Sequence, residues 1–160
     1  MRAMRIAHLE LLIAPDCAHL VIAPAGSGGP DYSQVAADRD VVFQFPEPGH
    51  YVFINTVSEG EVDVLMTVQF WDAPPNADPP GWDTCQHDAI ATTNFDGDQI
   101  LIASPTDSDH KCWTGFWPPS LGPHRVRCRS RGRDWARGLE TAPGEEQYLI
   151  QSWPDQADPL

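Results

Sequence analysis

No apolar run in this chain approaches the 20 or so consecutive residues needed to cross a bilayer. The opening "MRAMRIAHLELLIAP" has a basic start, but His8 and Glu10 interrupt its apolar stretch and Asp16 follows, so it reads poorly as a signal peptide. Cys17 follows "APD", a poor match to a lipoprotein cleavage box. A cytoplasmic protein, with no membrane partner, is expected. Four cysteines, at 17, 85, 112 and 128, are few for a disulfide scaffold and suit reduced thiols, with a secreted form holding two bridges as the alternative. Catalytic fingerprints are missing too: there is no G-x-S-x-G elbow, P-loop, H-E-x-x-H or dinucleotide motif. The expectation is therefore no enzyme and no cofactor. An enzyme would require a cleft that pairs a carboxylate with a histidine.

Basic residues are scarce, ten against 23 carboxylates, for a formal charge of −13. A surface that acidic repels nucleic acid and attracts cationic partners. Helix-length stretches are scarce as well, because 16 prolines interrupt the chain and each removes a backbone donor.

What remains alternates with period two. "EVDVLMTVQF" puts Val62, Val64, Met66, Val68 and Phe70 on one side and Glu61, Asp63, Thr67 and Gln69 mostly on the other, the pattern of a half-buried strand. "YVFINTV" precedes "SEGE", so 51–57 and 61–71 are expected to pair as an antiparallel hairpin. "IAHLELLI", "CAHLVIAP", "DVVFQF", "DQILIAS" and "EQYLIQSW" are further strands, and Asp96-Gly97 reads as a hairpin turn between "CQHDAIATT" and "DQILIAS". "DWARGLE" alone suggests a helical turn or two. The fold class is all-β: one antiparallel β-sandwich of about 7–9 short strands spanning 1–160, with 1–4 and 155–160 frayed, and a barrel as the alternative. At 160 residues such a domain buries about 70 % of its unfolded surface.

"HRVRCRSRGRD" (124–134) stands out. Arg125, Arg127, Arg129, Arg131 and Arg133 occupy alternate positions, and so share one face of a strand over roughly 27 Å. Residues 125–137 carry a local balance of +5, while everything else holds 22 carboxylates against four basic residues. A nucleic-acid stripe would need a basic domain and interleaved aromatics; the chain is acidic, and no aromatic lies between 118 and 134. The arginines are expected instead to pair with carboxylates of neighbouring strands, such as Glu61 and Asp63, or of the acidic loops.

Two mirror-image motifs, "CQH" and "HKC", offer Cys85, His87, His110 and Cys112 as a Cys2His2 set if their strands lie side by side, although zinc knuckles use longer spacings. "NFDGD" and "PTDSD" lack the run of spaced carboxylates that calcium needs, and read as solvated loop charge. Most of the tryptophans are expected to plug the ends of the sandwich. Trp71 and Trp82 bracket a proline-rich loop, and if exposed would anchor a contact surface with Asp72, Asp78, Asp96, Asp98, Asp107 and Asp109.

The arginine stretch, a variable loop and then "EEQYLIQSWP" resemble the ending of a set of small bacterial proteins, many actinobacterial, that share R-V-R, R-G-R-D and E-x-Y-L-I-Q-x-W-P. The likeness spans about residues 50–154, and includes "GEVDV" and a W-D strand. In layout this set is similar to the ComJ-like nuclease-inhibitor and immunity proteins, but their tyrosine-rich N-terminal motif is not visible here, "DYSQ" (31–34) being at best a remnant of it. The resemblance implies a β-sandwich in which Arg127, Arg131, Arg133 and Asp134 form structural ion pairs at strand ends. It also implies an immunity or inhibitor protein whose carboxylates block the cleft of a basic partner such as a nuclease. A small-ligand- or zinc-binding module is the alternative reading, and a structural interaction protein the third.

Overall fold

The computed structural model describes residues 2–15, 18–24, 35, 40–46, 49–60, 62–95, 99–103, 111–113, 117–118, 120–133 and 142–156. Ten strands occur among them: β1 Arg5–Ile13, β2 His19–Pro24, β3 Phe43–Gln44, β4 Val52–Asn55, β5 Val64–Trp71, β6 His87–Asn94, β7 Ile100–Ala103, β8 Lys111–Trp113, β9 Pro123–Arg131 and β10 Gln147–Pro154. They form two five-stranded sheets, ordered β1-β5-β10-β9-β6 and β3-β4-β2-β7-β8. One core cluster draws Leu20, Ile22, Val52, Ile54, Ile100 and Ile102 from the second sheet and Met66, Val68, Phe70, Val126, Tyr148 and Ile150 from the first. The sheets therefore pack face to face, as the all-β sandwich requires.

The alternation in β5 is realised: Val64, Met66, Val68 and Phe70 are at most 1 % exposed. Its opposite side is also covered, however, since Thr67 and Gln69 are buried, as are Leu149 and Gln151 on β10. The outer face of the first sheet is roofed by the segment 72–86, described below.

Pairing departs from expectation in three places. The segments read as a hairpin, 51–57 and 61–71, contribute β4 to the second sheet and β5 to the first, so the turn between them is a crossover. Its backbone is held from outside the pair: Thr56 N donates to Ala18 O (2.9 Å), and Val57 N and Ser58 N donate to the Glu146 carboxylate (2.6 and 2.9 Å). Likewise β6 and β7, flanking Asp96-Gly97, lie in different sheets; that turn is outside the described residues, as is the expected helical turn after Arg133. The third departure is the β5–β10 pair, which is parallel, the remaining ladders being antiparallel. Asp72 N donates to Met4 O (3.1 Å), Met4 N donates to the Asp72 carboxylate (2.7 Å), and Asp155 N donates to Pro123 O (2.9 Å), which fastens the segments flanking β1 and β10.

At one end of the sandwich, Gly132 turns the chain off β9 with φ +75°, and a β-carbon there would meet Glu145 O at 1.8 Å. The turn drives Arg133, 2 % exposed, into the interior. Its Nη1 donates to Asn55 O (2.6 Å) on β4 and to Tyr148 Oη (2.8 Å) on β10, and lies 3.9 Å from Glu146 Oε1. Tyr148 in turn donates its hydroxyl to Glu146. Burial, then the adjacent Glu146 charge, raises the Tyr148 pKa well above the ordinary phenol, so it stays protonated as that donor. The network joins the two sheets.

At the other end of β9, buried His124 donates Nδ1–H to Gly122 O (3.0 Å) and its Nε2 faces the Ser120 hydroxyl (3.3 Å). Burial lowers its pKa, partly offset by the bond to Gly122.

Two outcomes are expected. Glu146→Ala strands the Arg133 charge in the interior and costs about 3–5 kcal/mol in urea denaturation. For His124 the unfolded chain takes up a proton first, so stability is lost as pH falls from about 6.5 towards the lower folded value. His124→Gln should flatten that acid arm in urea midpoints measured across it.

Candidate interaction surface on the arginine-bearing sheet

The outward residues of β9 lie between two strands in strict register. Arg125 is opposite Trp153 on β10 and Thr92 on β6; Arg127 is opposite Gln151 and Ile90; Arg129 is opposite Leu149 and Asp88; Arg131 is opposite Gln147. Residues 72–86 run across this row as a strap. Asp78 bridges two guanidinia, with Oδ1 3.0 Å from Arg127 Nη2 and 2.7 Å from Arg129 Nη1. Arg129 Nη2 also lies 3.4 Å from Asp88 Oδ2, and its Nη1 donates to Trp82 O (3.2 Å). Arg131 donates to Gly81 O (2.6 Å) and Gln147 Oε1 (2.7 Å), with its Cζ 4.3 Å over the Trp82 ring. Burial works against the Arg129 charge, but the bond to Asp78 and the charges of Asp78 and Asp88 outweigh it and raise its pKa.

Among the described residues, the carboxylates on the arginines of the row are thus Asp78 and Asp88. Asp63 is not among them, because β10 separates β5 from β9; Glu61 lies outside the described residues. Arg133 leaves the row altogether and turns inward, while Asp134 lies outside the described residues. Sequence reasoning missed Asp88, Glu146 and the two buried glutamines. Asp88 had a signal, being a carboxylate in a strand candidate, but nothing in the sequence says that β6 pairs with β9.

One polar row crosses four strands. Arg127 Nε and Nη2 donate to Gln151 Oε1 (3.1 and 2.7 Å), Gln151 Nε2 donates to Gln69 Oε1 (3.0 Å), and Gln69 Nε2 faces His8 Nδ1 (3.2 Å). Trp71 Nε1 donates to the same Gln69 oxygen (3.1 Å). Between β1 and the strap lies a recess of about 300 Å³ whose lining includes His8, Glu10, Thr67, Leu149, Pro80 and Trp82. It holds a histidine–carboxylate pair, His8 Nε2 to Glu10 Oε1 at 3.4 Å. With Nδ1 accepting from Gln69, the ring proton sits on Nε2 and points at Glu10.

Of the alternative Cys2His2 set, the described members lie in different sheets. Cys85, half-buried, and His87 belong to the β6 side of the first sheet, where His87 Nδ1 lies 3.0 Å from Ser130 Oγ. Cys112 is in β8, opposite Ile102 in the second sheet, so the two strands are not neighbours in one ladder; His110 lies outside the described residues. Among the described residues no three His, Cys, Asp or Glu side chains cluster to hold an ion, and no helix is long and apolar enough to cross a membrane. Cys128, buried beneath the arginine row, has its pKa raised by burial and then by Asp88, which makes it an unreactive thiol.

Of the expected contact residues, Trp82 is only 5 % exposed and pins the strap to the sheet, whereas Trp117, expected to plug an end, is 60 % exposed. Trp71 is half-buried, Asp72 Oδ1 accepts from Met4 N (2.7 Å), and Asp78 is held by the arginines. Asp96, Asp98, Asp107 and Asp109 lie outside the described residues.

Removing the bridging carboxylate should loosen the roof. Asp78→Ala is expected to lower stability by about 1–3 kcal/mol and to speed proteolytic cleavage within 72–86. Asp83→Ala, an exposed change in the same segment, should alter neither.

No family model matches this chain, and no curated protein matches it by sequence. Two solved structures share its architecture. ComJ from Bacillus subtilis, an inhibitor of the DNA-degrading activity of NucA, aligns over 96 % of this chain and 98 % of its own, with a TM-score of 0.58 and 10 % identity. The product of crocagin biosynthetic gene J aligns over 98 % of this chain and 100 % of its own, with a TM-score of 0.56 and 11 % identity. The chain has a ComJ-like fold.

Proposed function

We propose that the protein is a non-enzymatic inhibitor that neutralises a cationic protein, in the manner of an immunity protein facing a nuclease. The observation that carries this reading is where the positive charge goes. Arg127 and Arg129 are tied to Asp78 beneath a strap, Arg131 is stacked on Trp82, and Arg133 is inside the core. The chain's −13 is therefore presented by its outside, where Glu10, Asp83, Asp88 and Glu145 are exposed. The acidic sequence at 96–98 and 107–109 adds to that field. A protein of this kind attracts cationic clefts by charge and offers them carboxylates in place of phosphates. The whole-length likeness to an inhibitor of a DNA-degrading enzyme supports the same reading. The pinned arginines argue against nucleic acid as the partner.

Titration calorimetry against the cationic nucleases of the host should give a one-to-one complex whose affinity falls as salt rises, with loss of nuclease activity in proportion to occupancy. The protein should leave labelled DNA unbound. Failure to bind any of these nucleases, or a complex indifferent to salt, overturns the proposal.

A further inference from the structure

The recess between β1 and the strap has no task in the inhibitor reading, and its charges are arranged unlike those under the strap. Arg127 and Arg129 sit directly on Asp78, whereas the two β1 charges of the recess are held apart. Arg5 Nη1 lies 3.4 Å from His8 Nδ1, and His8 Nε2 lies 3.4 Å from Glu10 Oε1. Nδ1 also faces the Gln69 amide, so the ring accepts on the Arg5 side and donates on the Glu10 side. The imidazole thus spaces a cation from an anion. Among the described residues Arg5 meets no carboxylate, and Glu10 meets no guanidinium or ammonium.

The floor carries a second open position. Thr67 lies opposite Glu10 on β5, lines the recess and is only 6 % exposed, yet its hydroxyl has no hydrogen-bond partner among the described residues. Buried hydroxyls are ordinarily bonded, so this one is a group that an occupant completes. Pro79, Pro80 and Trp82 of the strap, with Leu149 beside Thr67, add an apolar wall. Arg131, the other cation of the lining, has its donors on Gly81 O and Gln147 Oε1 and its face on Trp82.

We propose that this recess binds a free α-amino acid with an apolar side chain. The ligand carboxylate takes the Arg5 guanidinium, and the ligand ammonium takes Glu10 and the Thr67 hydroxyl. The side chain lies against Pro79, Pro80 and Trp82. A simple anion would meet Glu10, and a simple cation would meet Arg5 and Arg131. An uncharged apolar molecule would strip water from both charges and replace none of it. A molecule with both signs a short distance apart satisfies the whole lining. The volume, about 300 Å³, lies at the small end of ligand pockets, which suits an amino acid better than a nucleotide or a long peptide.

Titration of the isotope-labelled full chain with L-leucine and with L-phenylalanine, followed by NMR, provides the test. It involves no nuclease, so it fails or succeeds separately from the inhibitor reading. Saturable shifts confined to residues 5–10, 65–69, 79–82 and 147–149 are expected below about 10 mM. N-acetyl-leucine lacks the ammonium and leucinamide the carboxylate, and each should bind at least about tenfold more weakly. Glu10→Gln and Arg5→Gln, both at exposed positions and checked for folding by circular dichroism, should each weaken L-leucine by at least about tenfold. Thr67→Val should weaken it too, while Thr67→Ser, which keeps the hydroxyl, should not. The inference is overturned if neither amino acid gives a saturable shift at these residues. Equal binding of N-acetyl-leucine or leucinamide overturns it as well, and so does an affinity that Glu10→Gln or Arg5→Gln leaves unchanged.

Discussion

Arg133 and Glu146 are both almost wholly removed from water, and each is tolerable there only because the other is present. Tyr148 couples them by accepting from the guanidinium and donating to the carboxylate. The pair also collects backbone groups that the crossover would otherwise bury without partners: Asn55 O from the end of β4, and the N–H groups of Val57 and Ser58. Hydrophobic burial presses the sheets together, but it does not say which end of one lies over which end of the other. A buried ionic contact with four directed partners does. Gly132 is the backbone condition for it, since no side chain fits against Glu145 O at that turn.

The same contact separates the fates of five arginines that look alike in sequence. One is spent on joining the sheets, three are pinned under the strap, and Arg125 is left at the rim. Asp78 holds two of the pinned guanidinia, so the strap that covers the sheet is itself fastened by the charges it covers. Gln69 and Gln151 continue the arrangement with neutral groups towards β1, giving the outer face of this sheet a buried polar layer instead of a wet one.

Fold class was legible because period-two alternation and frequent turn residues are local signals, and the strands near 5–13, 52–55, 64–71, 100–103 and 147–154 follow them. Partner choice was not legible. "SEGE" and Asp96-Gly97 are sound turn signals, yet the strands on either side of each enter different sheets, because the best available edge for β5 comes from β1 and β10, far away in sequence. For the same reason Asp63 seemed a natural partner for the arginines, while among the described residues the carboxylates that reach them, Asp78 and Asp88, sit on a loop and on the edge strand. Where Trp82 is buried was not legible for a related cause: it packs under Arg131, 49 positions later, and no local pattern records that contact.

β10 is the tenth strand in sequence and the central strand of its sheet, wedged between β5 and β9 and running parallel to the former. Until residues 147–154 have been made and threaded into that slot, β1 with β5, and β9 with β6, can exist as separate ladders but not as a sheet. The two members of the ionic contact that arrive last, Glu146 and Tyr148, arrive with it. A nascent chain therefore carries an open, apolar gap until that strand is made, and closing it is a non-local event of the kind that slows folding and calls for protection from aggregation.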